Sequence, residues 1–99
     1  MTNNLSHRTS YIKGRDAEHR VIQKLAVEGF RFIIRSAASR GPIDVLASNG
    51  KEILAIQVKK NGYLNVEEKT RLVEWAKVFN AKPMIAKKQK GRWRLRSCI

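Results

Sequence analysis

The apolar positions of this chain change their period several times, and each change marks an element. From Arg15 to Glu28 they recur at helical spacing, with Val21, Ile22, Leu25 and Ala26 on one stripe and Gly29 as a stop. Phe30 to Arg35 predicts a strand, Ser36 to Pro42 a loop of small residues, and Ile43 to Ala47 a second strand. Ser48-Asn-Gly-Lys51 then predicts a hairpin turn, because Asn-Gly suits the positive φ angles of tight turns. Glu52 to Lys59 follows as an antiparallel partner. Leu54, Ile56 and Val58 share one of its faces, and Ile53, Ala55, Gln57 and Lys59 share the other. Val66 to Asn80 predicts a second helix with Leu72, Val73, Ala76 and Phe79 inward, and Lys82 to Ala86 a short strand. Arg92 to Arg96 reads as a last strand after a turn at Lys90-Gly91. The order αβββαββ predicts an α/β fold, a small mixed sheet flanked by helices in a single domain over 1–99. Residues 1–12 lack the stripe and read as a flexible arm.

One position breaks the first helix. Glu18 lies four residues before Ile22 and seven before Leu25, so its carboxylate falls on the apolar face. A carboxylate there is costly unless something pairs with it.

Charge narrows the partner. There are 21 Lys and Arg against 8 Asp and Glu, a formal +13 on 99 residues. Such an excess favours a polyanion, since each neutralised phosphate releases counterions. Membrane attachment is the rival reading, and no apolar span, amphipathic basic helix or lipidation motif supports it. From Lys82 onward the chain has seven Lys and Arg and no acid. Arg92, Arg94 and Arg96 alternate with Trp93, Leu95 and Ser97, giving one guanidinium face suited to phosphates. Lys87, Lys88 and Lys90 extend that track, with Lys13 and Arg15 as a second contact. Trp75, Phe79 and Trp93 read as packing or interface residues, and His7 and His19 as solvated. The absence of an apolar leader and the lone Cys98 predict an intracellular protein, cytoplasmic or on the nucleoid, with cellular and viral origin both open.

The chemistry lies at the hairpin. Residues two apart on a strand project the same way, about 6.5 Å between Cα atoms, so Gln57 and Lys59 face one site. Asp44 arrives from the partner strand and Glu18 from the first helix. Oxygen ligands for a hard cation beside a lysine suit phosphodiester hydrolysis by an activated water.

With these residues in place the chain resembles a known family. Lys13-Gly-Arg-Asp-Ala-Glu18, Gly29-Phe30, Arg35-Ser-Ala-Ala-Ser39, Ile43-Asp-Val-Leu-Ala47, Ile56-Gln-Val-Lys59 and Glu74-Trp-Ala76 resemble the archaeal-type Holliday junction resolvases of the PD-(D/E)xK nuclease superfamily. The resemblance spans roughly Lys13 to Lys88. It implies a restriction-endonuclease-like fold, a Mg²⁺ cofactor with Mn²⁺ as a substitute, branched duplex DNA as substrate, and a homodimer. It implies a metal-bridging Asp44, a catalytic Lys59, an assisting Glu18, and a loop Ser39 with Arg35 near the scissile phosphate. Arg40 and Lys60 would add DNA contacts. Gln57 stands where the family pattern has a second acidic ligand, so its amide oxygen would replace a carboxylate. Four readings therefore remain: a junction resolvase with weakened metal binding, a non-catalytic DNA-binding module, a nuclease for another DNA substrate, and, more distantly, a purely structural basic protein such as an RNA-associated one.

Overall fold

A computed structural model describes residues 2–36 and 41–99, with side chains from Arg15 onward. The elements are α1 (Thr2–Val27), β1 (Phe32–Arg35), β2 (Val45–Ser48), β3 (Ile53–Val58), α2 (Val66–Val78), β4 (Lys82–Gln89) and β5 (Arg92–Ser97). The strands form one five-stranded sheet in the order β1-β2-β3-β4-β5. β1, β2 and β3 pair antiparallel in sequence, with Arg35 opposite Val45 and Val45 opposite Ile56. β4 then runs parallel to β3, with Ile56 opposite Met84, and β5 closes an antiparallel hairpin. A parallel pair needs a crossover, and α2 supplies it.

Each helix covers one side of the sheet. Val21 and Leu25 of α1 are fully buried against Phe30, Val45, Ala47, Leu54, Ile56 and Ala86. α1 ends as its sequence predicts. Gly29 takes φ +96°, and the Phe30 N–H donates back to the Leu25 carbonyl at 3.0 Å. That left-handed position is open to glycine at little cost. On the other side Leu72 of α2 packs with Ile85 and Cys98.

Most strand ends differ from the expected ones by a residue or two: β1 begins at Phe32 and β2 at Val45, and β3 ends at Val58, so Asp44 and Lys59, expected inside strands, fall just outside them. Three further differences stand out. α1 begins at Thr2, so residues 2–12, read as a flexible arm, are helical. An apolar stripe reports where a helix packs, and a helix can outrun its contacts because its backbone bonds are internal. β4 extends to Gln89 through the polar run Lys87-Lys88-Gln89, because β5 pairs with it along that length. The inward stripe of α2 stops at Ala76. Phe79 sits at the C-cap, is exposed, and is followed by Asn80 in the left-handed conformation.

Candidate active site

The β2–β3 ladder ends at Asp44, and that ending builds the site. The Asp44 N–H donates to the Ile56 carbonyl at 2.8 Å, and its own carbonyl accepts from Ser36 at 2.9 Å. Two residues further along β3 the Val58 N–H finds a side chain instead of a strand, donating to Asp44 Oδ2 at 2.8 Å. The carboxylate thus caps the open end of the hairpin and is fixed by backbone. Lys59 turns away to pair with β4, its N–H donating to the Ala86 carbonyl at 2.9 Å.

Asp44, Gln57, Lys59 and Glu18 line one cleft, together with Ala17, Val58, Lys60 and Trp93. Glu18 has the partner its position demands: Arg35 Nη1 lies 3.1 Å from Glu18 Oε1. Burial pushes the Asp44 carboxyl above its usual range, and the nearby Glu18 charge pushes the same way. The Val58 N–H and the Lys59 charge oppose that shift. Lys59 itself is held by an acid of α2, its Nζ lying 2.9 Å from Glu68 Oε2.

Gln57 Oε1 is buried and has no hydrogen-bond partner. An orphaned carbonyl of this kind costs roughly 1–3 kcal/mol. A cation in the cleft would satisfy it and would also relieve the Asp44–Glu18 repulsion. Among the described residues no three His, Cys, Asp or Glu side chains cluster as a ready metal cage. Two carboxylates and one amide oxygen are nevertheless a hard-donor set that fits Mg²⁺ or Mn²⁺. The larger groove at the opposite end of the sheet, lined by Phe30, Leu54, Met84 and Leu95, is mainly apolar and has no such cluster.

The other expected residues divide. Lys60, expected on the opposite face, lines the rim of this cleft and an adjoining depression with Asn61 and Lys88. Arg92 and Arg94 are exposed along β5, while Arg96 donates to the Gly62 carbonyl at 3.3 Å and so steadies a loop. Lys87, opposite Arg94 in the ladder, lies against Gly62, and Lys90 occupies the β4–β5 turn with φ 51°. Arg15 and Arg35 line a shallow depression beside α1. Ser39, Arg40 and the Lys13 side chain lie outside the described residues. Sequence reasoning missed Glu68, whose signal is the capping pair Asn65-x-x-Glu68 at the start of α2. It also read Trp93 as a packing or interface residue rather than part of the site. The ring does pack on the α1 core, yet it lines the cleft with a buried, unpartnered indole N–H.

The hairpin-borne Asp44, the Gln57-x-Lys59 segment and the helix-flanked mixed sheet are the arrangement of a PD-(D/E)xK nuclease fold, with an amide at the (D/E) position, and similarity to known proteins places the chain in that superfamily. The family model of the archaeal Holliday junction resolvase (Hjc) matches residues 9–98, and the chain belongs to that family. It is 34% identical over 88 residues to the crossover junction endodeoxyribonuclease Hjc of Methanocaldococcus jannaschii. That match covers 85% of this chain and 65% of the relative, so the chain spans just under two thirds of that protein's length. The solved structure of Archaeoglobus fulgidus Hjc, a Holliday junction resolvase, superposes with a TM-score of 0.73 at 32% identity, covering 85% of this chain and 76% of that one.

Proposed function

We propose that this chain is a divalent-metal-dependent endodeoxyribonuclease that resolves four-way DNA junctions. One observation carries the proposal: in a member of the resolvase family, Glu18, Asp44, Gln57 and Lys59 line one cleft, and the Gln57 Oε1 is buried with no hydrogen-bond partner. Asp44, Gln57 and Glu18 hold the cation, Mg²⁺ or Mn²⁺. When bound, it supplies positive charge to the phosphodiester and acidity to water. Asp44 presents a carboxylate already fixed by the Val58 N–H. Lys59 stabilises negative charge developing on the phosphate. Gln57 leaves the site one charge short, which lowers metal affinity. Lys60, Lys88, Arg92 and Arg94 contact the DNA backbone, with Lys13, Arg15, Arg35, Arg40, Lys87, Lys90 and Arg96 extending the basic surface.

A two-fold junction calls for two active sites, and a C2 homodimer supplies them. An apolar face supports this arrangement. Phe32 and Ile34 are each 67% exposed on the α2 side of β1, and Trp75 of α2 and its C-cap residue Phe79 are also exposed. Among the described residues no helix is long and apolar enough to cross a membrane. The protein acts where DNA is, inside the cell.

The test is a labelled four-way junction in excess linear duplex, with Mg²⁺ or Mn²⁺. Paired, symmetric nicks confined to the junction are expected. Equal cutting of both DNAs would point to another nuclease substrate. Junction binding that persists in chelator, with no cutting in any divalent metal, would select a DNA-binding module in which the Gln57 amide marks a lost activity.

A further inference from the structure

The pair between Lys59 and Glu68 belongs to no motif of the site, yet it determines where the lysine can be. We infer that Glu68 is a positioning residue: its carboxylate fixes the Lys59 ammonium at the cleft and ties it to the first turn of α2. The inference rests on the nuclease reading of that cleft.

A lysine beyond the last residue of a strand has a flexible stem and many rotamers. Here the ammonium is anchored by Glu68 Oε2 at 2.9 Å. The anchor is itself hydrogen-bonded at both ends. Glu68 Oε1 accepts from the Asn65 N–H at 3.4 Å, and Asn65 Oδ1 accepts from the Glu68 N–H at 2.8 Å, a complete capping box. One turn further, on the same face, Leu72 is fully buried against the sheet. The loop between Lys59 and Asn65 is fixed as well. The Gly62 N–H donates to the Lys59 carbonyl at 2.9 Å, and Gly62 has φ +74°. A Cβ there would lie 2.7 Å from Lys87 Cδ. Lys59 thus sits between two rigid elements, as a preorganised catalytic cation should.

The capping box also provides the discriminating variant. Glutamine caps a helix at this position as glutamate does, so Glu68→Gln can keep its single oxygen on the Asn65 N–H while the charge and the second oxygen that hold Lys59 are lost. The pair is about one third exposed on each side, and such pairs add little to stability. The Tm of Glu68→Gln is therefore expected to stay near that of the wild type.

The experiment measures three quantities on the full chain: single-turnover junction cleavage, junction Kd in chelator, and the acylation rate of Lys59 by an amine reagent, read by mass spectrometry. In Glu68→Gln, cleavage is expected to fall about 10-fold at nearly unchanged Kd. Lys59 should acylate faster, and the variant should add no further loss on top of Lys59→Ala. Unchanged acylation, or unchanged cleavage in an active wild type, would overturn the inference. So would an equal additional loss in the Lys59→Ala background. A wild type that cuts no junction would remove the nuclease reading itself, leaving acylation to decide alone whether Glu68 fixes Lys59.

Discussion

Asp44→Asn is expected to leave the chain folded and able to bind junctions while lowering cleavage by at least about 1,000-fold, on the order of 4 kcal/mol of transition-state stabilisation. Asparagine keeps a carbonyl oxygen where Asp44 Oδ2 accepts the Val58 N–H, so the end of the β2–β3 ladder stays capped. What disappears is the negative charge that, on the proposed reading, would draw the cation. The same change is expected to raise Tm in the absence of metal. Burial and the neighbouring Glu18 charge lift the folded-state pKa of Asp44 above its unfolded value. The ionised carboxylate therefore opposes folding at neutral pH, and that cost fades as pH falls through the folded pKa into the carboxylate range. The gain in Tm should accordingly be largest near neutrality and shrink in acid. Thermal melts across pH, beside single-turnover cleavage, check both halves. A variant that cuts at the wild-type rate would refute the assignment of Asp44, and a large loss of Tm would refute the electrostatic account of it.

Gln57→Glu is the second change with a large expected effect, in the opposite direction. A carboxylate added beside Asp44 and Glu18 strengthens attraction for a divalent cation. The metal concentration for half-maximal cleavage should fall on the order of 10-fold to 100-fold. Without metal, three acids then share one partly buried cleft, so Tm should drop and recover when Mg²⁺ or Mn²⁺ is added. Metal titrations of cleavage and of Tm read the two effects independently. If the wild type is inert and Gln57→Glu cuts, the rest of the machinery is intact and the amide alone silences it. If the substitution changes neither metal dependence nor metal-free Tm, Gln57 is no ligand.

How much of this was legible depends on how local each cause is. Val21, Ile22 and Leu25 at helical spacing, and the alternation of Leu54, Ile56 and Val58, announce their elements because side-chain period follows backbone geometry. Asp44 and Gln57-x-Lys59 were legible from the hairpin, which brings them to one cleft although Asp44 and Lys59 lie just outside β2 and β3. The acid that breaks the α1 stripe correctly implied a partner for Glu18, and Arg35 is one of the candidates the family resemblance had singled out. Glu68 was not legible as part of the site. It lies nine residues from Lys59 on another element, and only the path of the Gly62 loop joins them. The length of β4 was hidden because Lys87, Lys88 and Gln89 look like a solvated tail. Pairing with β5, a non-local cause, makes them strand.

The most direct test of the central claim is a Mn²⁺ soak of crystals, with data collected to reveal anomalous scattering. An anomalous peak about 2 Å from both an Asp44 carboxylate oxygen and Gln57 Oε1 is expected. No peak in that cleft, at a Mn²⁺ concentration that supports junction cleavage in solution, would contradict it.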